Sequence, residues 1–229
     1  MDTSLGVTTG DMMDDKLWEK LAALGGVVFV VLNVVGTIAQ GAPPAAGDTN
    51  DEVLAWFADN ESGIKIAGFL GALSIIGLVW WFGSLWRRMS RAEQGNHRLS
   101  IVALVGLAGS ATLFAASTAV LATIAIQVDE VGADGARFFY VLSMVLLAMA
   151  SAFVVTHLAA VNALSLRTGL LPKWVTWLGL VSAAVFLVST LGSTTDADAI
   201  VVFGFIGFIT WAIWLLAVAV HMWRTADAN

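Results

Sequence analysis

Six long runs of the chain carry no Asp, Glu, Lys or Arg: residues 21–47, 66–86, 99–128, 138–166, 174–195 and 199–223. Each is at least 21 residues long, and a helix needs about 20 apolar residues to cross the hydrocarbon core of a bilayer. The pattern predicts an all-α, polytopic transmembrane bundle of six helices, organised as a single membrane domain over residues 1–229. Its spans are expected at about 17–40, 64–89, 99–127, 137–166, 172–192 and 198–223.

The breaks between runs carry their own signals. Gly41, Pro43 and Pro44 end the first span, because proline lacks the backbone donor and fixes φ. Thr49-Asn50-Asp51-Glu52 has the form of a capping box. Val53, Leu54, Trp56 and Phe57 follow it. Residues 50–60 therefore read in one of two ways. They form a short amphipathic helix on the membrane surface, or they extend the second span, which the i,i+4 pair Glu61–Lys65 would suit. Either way Val53, Leu54 and Phe57 should turn toward membrane or bundle. Gly169 and Pro172 read as a C-cap glycine and a proline in the first turn of the next helix. Ser193-Thr194-Thr195-Asp196 reads as a tight polar turn. The third span is rich in small residues, among them Ala103, Gly106, Gly109, Ser110 and Ser117. Small residues let helices approach in lipid, so this span is expected to be the most buried. No internal repeat is evident, and no proline interrupts a span at depth.

Charge orients the bundle. Of eleven basic residues, nine fall in the N-terminus, 87–98, 167–173 and the C-terminus, leaving Lys65 and Arg137 on the other side. That other side also holds ten of the seventeen acids. Cationic loops stay cytoplasmic, so both termini are expected in the cytoplasm of a cell with this protein in its inner membrane. The first 20 residues carry five acids against two lysines, a poor start for a cleavable signal peptide. Many of the ten tryptophans fall near span ends, as in Trp80-Trp81, Trp86-Arg87-Arg88 and Trp223-Arg224, where they anchor at headgroup depth.

Composition then narrows the function. With no cysteine, thiolate catalysis and Cys-ligated metals are excluded. A net charge of −6 without a basic tract argues against nucleic acid as a partner. His157 is the ionisable side chain deepest in a span, and such a group is a functional candidate by default. Its structural alternative, a neutral imidazole bonded to a serine or a backbone carbonyl of a neighbouring helix, is preferred. His157 and His221 lack the HxxxH spacing or nearby carboxylate that would make them haem or metal ligands, so no metal site and no cofactor are expected. Asn33 is the deepest amide, and Asn162 is a second. Trp211 and Trp214 lie near mid-span, where core packing or an apolar pocket suits them.

The segment Arg167-Thr-Gly-Leu-Leu-Pro-Lys-Trp-Val-Thr-Trp-Leu-Gly179 is the most distinctive stretch. Together with Gly41-Ala-Pro-Pro44, Glu52-Val-Leu-Ala-Trp-Phe-Ala-Asp-Asn60 and Trp81-Phe-Gly-Ser-Leu-Trp-Arg87, it resembles a broad group of bacterial, largely actinobacterial, six-span membrane proteins. That group is loosely similar to a domain-of-unknown-function family. The resemblance covers roughly residues 20–225. It implies the architecture and a bacterial inner membrane, and it implies no catalytic residue.

The leading functional expectation is therefore non-enzymatic. It is a helical bundle that binds a partner protein, a second copy of itself, a lipid or an apolar small molecule within the membrane. The alternative is a small transporter or channel, with Asn33, His157 and Thr210 converging on a polar cavity. A third is a membrane enzyme acting on lipid headgroups through His157 or the group Arg87, Arg88, Arg91 and His97.

Overall fold

A computed structural model describes residues 9–195 and 197–226. Asp2 and Asp196 lie outside the described residues. Seven α-helices make up most of the rest: α1 (Thr9–Gln40), α2 (Asn50–Asp59), α3 (Glu61–Ala92), α4 (Arg98–Ile126), α5 (Val128–Thr168), α6 (Lys173–Ser189) and α7 (Asp198–Thr225). A short 3-10 turn, Thr190–Ser193, finishes α6. Among the described residues there is no strand. Five of these helices, α1, α3, α4, α5 and α7, and α6 together with its 3-10 turn, are long and apolar enough to cross a bilayer. The protein is a multi-pass membrane protein of six spans.

The spans stand in a ring. Each packs on the next in the order α1, α3, α4, α5, α6, α7, and α7 returns to α1. Bilayer interiors supply no hydrophobic drive between helices, so close packing has to hold them together. The α1–α3 pair shows how. A Cβ added at Gly25 would lie 2.4 Å from the Gly77 carbonyl oxygen, and one at Gly63 would lie 2.0 Å from the oxygen of Ala39. The two backbones touch at mid-length and again at the end nearest α2, where a side chain would hold them apart. The α4–α5 pair repeats the device, with the Cβ position of Gly106 2.6 Å from the His157 nitrogen.

This arrangement corrects one expectation. α4 is not the most buried span: 28% of its apolar stretch is buried, against 39% for the spans of α1 and α6. Its small residues serve close contact with α5, while Ile101, Leu104 and Val105 on its other side are exposed. A ring of six helices has no central member.

At the end carrying the termini the ring is closed by one side chain. Arg88 of α3 is buried beside Glu19 of α1. Its Nη2 donates to Glu19 Oε2 at 2.9 Å and to the Met222 carbonyl at 3.0 Å, and its Nη1 donates to Thr225 Oγ1 at 2.6 Å. Three helices meet on this guanidinium. Below it and around it, Trp81, Leu85, Met89, Leu158, Leu164, Trp214, Leu215 and Met222 form a continuous buried core.

At the opposite end α2 folds back over the bundle. The capping box forms: the Glu52 amide donates to Thr49 Oγ1 at 3.3 Å, and the Thr49 amide donates to Glu52 Oε2 at 2.7 Å. The backbone donor on the Glu52 carboxylate, joined by the Thr49 hydroxyl, holds its pKa below the usual glutamate range. Val53 and Phe57 are fully buried against Ile64, Ile124, Ala136 and Tyr140, while Leu54 is only partly covered. α2 is thus a separate helix docked on the bundle. It does not continue into α3, because Asn60 breaks the two (φ −110°, ψ 13°) and its Nδ2 turns back to the Trp56 carbonyl at 2.9 Å.

The other connections are short. Gly132 (φ +66°, ψ 164°) separates the first turn of α5 from its long continuous part, so that span starts earlier than the charge pattern implied. Gly169 adopts the left-handed cap expected of it (φ +72°), whereas Pro172 is the N-cap of α6 and stands just outside the first turn. Glu93, after α3, caps α4: it accepts from the Leu99 and Ser100 amides, each at 2.8 Å, and from the Ser100 hydroxyl. Partial burial works against the charged form, but these donors outweigh it and hold the Glu93 carboxyl below the usual glutamate range.

Replacing Gly106 with leucine should drive a side chain into the α5 backbone. Overpacking of this kind costs about 1–3 kcal/mol, and a lowered midpoint of thermal unfolding in detergent is expected. An unchanged midpoint would mean that α4 and α5 do not approach as described.

Candidate ligand cavity

The half of the bundle nearest α2 is hollow. A cavity of about 660 Å³ lies between the spans, and all six contribute to its wall. Its floor is aromatic. Trp211 of α7 meets Phe29 of α1 edge-on at 5.3 Å between ring centroids, Phe186 of α6 at 6.4 Å and Phe208 of α7 at 6.3 Å. Beneath this layer the packed core closes the bundle. Trp214 stands edge-on to Trp81 at 6.1 Å and to His157 at 5.9 Å.

The walls mix small apolar residues with hydroxyls. Ser110 and Ser117 come from α4, Ser151 from α5, Ser189 from α6, and Asn33 and Thr37 from α1. Most of their donors are already engaged. Ser110 Oγ donates to Leu107 O at 2.8 Å, Ser117 Oγ to Ser143 O at 2.9 Å, and Thr37 Oγ1 to Asn33 O at 2.9 Å. Asn33 Nδ2 donates to Phe29 O at 2.8 Å. Ser151 and Ser189 face each other across α5 and α6, 3.3 Å apart. The polar groups thus turn toward helix backbones and toward each other. What they present to the cavity is a smooth, largely apolar surface.

Near α2 the chain between α1 and α2 crosses the mouth. Tyr140 Oη donates to Pro44 O at 3.1 Å, and Arg137 Nη2 donates to Ala46 O at 2.9 Å. Among the described lining residues Arg137 is the one that carries a formal charge.

The candidates from the sequence divide between cavity and core. Asn33 and Trp211 line the cavity. His157, Thr210 and Trp214 are not among its lining residues. His157 is fully buried below the floor, and its Nδ1 lies 3.0 Å from the Ala103 carbonyl of α4. A carbonyl only accepts, so the proton of the neutral imidazole sits on Nδ1. Thr210 bonds within the α6–α7 pair, to Gly207 O at 2.9 Å and Ser182 Oγ at 3.2 Å. Trp214 and Asn162 crowd Gly179, whose Cβ position lies 2.5 Å from Trp214 Nε1 and 2.3 Å from Asn162 Nδ2. The headgroup set does not form one cluster either. Arg88 points into the bundle, Arg91 is exposed, and His97 stacks on Trp86 at 6.4 Å. Among the described residues no group of three or more His, Asp or Glu side chains is placed to hold a metal.

Sequence reasoning passed over the floor phenylalanines and the hydroxyl walls. A signal for the walls exists. Ser110 and Ser117 are seven residues apart on one span, so the two share a helix face.

These features define the class: an all-α, six-span membrane protein with a cavity inside the bundle. Residues 24–219 match the model of a family described as "Domain of unknown function (DUF4386)", and the chain belongs to that family. The match takes in the whole cavity wall, from Phe29 to Trp211. No curated protein and no solved structure matches the chain.

His157→Gln tests the division between cavity and core. Glutamine can still donate to the Ala103 carbonyl but gives up the ring contacts with Phe82 and Trp214, each worth about 0.5–1.5 kcal/mol, so a loss of about 1–3 kcal/mol is expected. Unfolding in detergent measures this. A folded variant that no longer holds a ligand the native protein holds would place His157 in the site after all.

Proposed function

We propose that the protein binds an apolar small molecule or lipid in the cavity between its spans. The observation that carries this reading is the state of the wall. Its hydroxyl and amide donors largely answer to helix carbonyls. Such a wall offers few donors to a sugar or an ion and a broad surface to hydrocarbon. The volume lies within the range of about 300–1,000 Å³ common to small-molecule pockets.

The same reading places the protein in a bacterial inner membrane with both termini in the cytoplasm, from the sorting of its basic residues. The cavity then belongs to the outer leaflet. Transport is the second reading. It requires the floor to open, and Trp81 Nε1, Trp211 Nε1, Trp214 Nε1, His157 Nε2 and Asn162 Oδ1 below or in that floor make no hydrogen bond to protein groups. Buried polar atoms without partners each cost about 1–3 kcal/mol, which narrows the gap to a repacked state.

Native mass spectrometry of protein drawn directly from its membrane tests binding. A retained adduct is expected, and it should be lost when Ala111, which lines the cavity, is replaced by phenylalanine. A bare native chain, or an adduct indifferent to Ala111→Phe at unchanged thermal stability, would refute the reading. The orientation has its own check in this cysteine-free chain. Single cysteines at the exposed positions Asn50 and Asn96 should react with an impermeant thiol reagent from outside and inside respectively. Equal labelling of both in intact cells would overturn it.

A further inference from the structure

The cavity is closed at one end and crossed by a segment of chain at the other. Toward the termini it is sealed by the aromatic floor and by the core under it. Toward α2 it is crossed by the segment at Pro44 and Ala46, which Tyr140 and Arg137 tie to α5. A second approach, and the one that faces hydrocarbon, is sideways through the ring itself.

The ring is not equally tight all round. α1 follows α3 along its length, from Gly25 against Gly77, through Gly36 against Ala67, to Ala39 against Gly63. α7 follows α6: the Cβ position of Gly204 is 3.1 Å from Ser189 Oγ, and that of Gly207 is 3.1 Å from Phe186. α1 and α7 themselves meet lower down. Gly26 lies against Leu215, and Phe29 against Trp211. Past that point the close glycine approaches of α1 are to α3, and those of α7 are to α6. Thr37 of α1 and Val201 and Phe205 of α7 line the cavity and are also exposed, Val201 by 44% and Phe205 by 56%.

The seam has the depth of a leaflet. From Phe29 to Gln40 the α1 wall rises about 16 Å at 1.5 Å per residue. One leaflet contributes about 15 Å, half of a hydrocarbon core of about 30 Å. A chain entering here keeps its depth, so its polar head stays level with Gln40 and Thr194 and never crosses hydrocarbon. Its tail reaches the ring of Phe29, Phe186, Phe208 and Trp211.

We propose that the seam between α1 and α7, at Thr37, Val201 and Phe205, is a lateral entrance through which one hydrocarbon chain of a membrane lipid slides into the cavity. This inference rests on the cavity being a binding site. It adds the ligand class, a chain-bearing lipid of the surrounding leaflet, and its route.

The experiment uses the full chain in phosphatidylcholine vesicles doped with a phosphatidylcholine that bears a photoreactive diazirine in mid-chain. Cross-linked residues are mapped by mass spectrometry. Native protein should label at Phe114, Met144, Phe186 and Phe208. Narrowing the seam with Thr37→Trp and Val201→Trp together should bring these cavity labels to background, while widening it with Phe205→Ala should hasten them. Val34→Trp, on the lipid face of α1, should leave them as they are. Far-ultraviolet circular dichroism and thermal unfolding check that each variant folds, and the widening variant keeps the test open should the double variant not fold. Cavity labels that persist in a folded double variant, or that ignore Phe205→Ala, would overturn the entrance. Failure to label the cavity of a native protein that retains an Ala111-sensitive adduct would overturn the lipid chain and leave the binding reading intact. Absence of both would remove the binding reading itself.

Discussion

At the end carrying the termini, the ring closes on a buried guanidinium. Arg88 joins Glu19 of α1 to the last turn of α7, through Met222 and Thr225. Every other neighbour in the ring is a sequence neighbour joined by a connection or follows one in order. The return of α7 to α1 is the single contact that must be made across the whole length of the chain. A buried ion pair is weak evidence for stability, since desolvation offsets much of the attraction. Removing one partner is another matter, at about 3–5 kcal/mol. The pair therefore acts less as glue than as a register. It specifies which helices meet and at what height, and it does so at one end of the bundle.

That placement divides the molecule. On the side of the pair, large residues interlock: Trp81 with Trp214, Phe82 with His157, and Met89 and Met222 in the same core. On the side of α2 many of the inward residues are small or carry hydroxyls, as at Gly68, Ser110, Ala111, Ser151 and Gly204. A tight pair still forms there, because glycine lets α1 lie on α3, as at Gly36 against Ala67 and Gly63 against Ala39. Pairs, however, do not fill a ring. With small side chains facing the axis, the ring encloses space, and with α1 and α7 held together at the far end, the seam between them is its least supported line.

Much of the fold was legible in the sequence. An uncharged run of twenty residues means a span because hydrocarbon tolerates so little else, and the capping box and the Gly169 cap are local devices that need no knowledge of the rest. The ring closure was not legible. Glu19 and Arg88 are 69 residues apart, and each sits among charges that read as a solvated end. Nor was the position of α4. Its glycines announce close contact, but a contact on one face and burial on all faces leave the same composition. The cavity was half legible. Asn33 and Trp211 were visible as unusual residues at depth, and both line it. His157 was visible for the same reason and belongs instead to the core, because depth along a helix says nothing about which way a side chain faces. The phenylalanine floor was hidden by ordinariness, since an apolar residue in a span attracts no notice.

The size of the cavity bears on its contents. Lining atoms that face empty space forgo the dispersion contacts a neighbour would give them, so a cavity of about 660 Å³ favours an occupant that packs against its wall. Water would fill it only where polar groups repay the transfer, each water wanting two to four partners. The serines, threonine and asparagine of the wall have already given their donors to helix carbonyls. Hydrocarbon needs no such partners. It packs against glycine, alanine and phenylalanine through dispersion alone, and in a membrane it is the medium on the other side of the α1–α7 seam. The feature that makes the ring incomplete as a packed core is thus the feature that suits it to hold a chain from the bilayer.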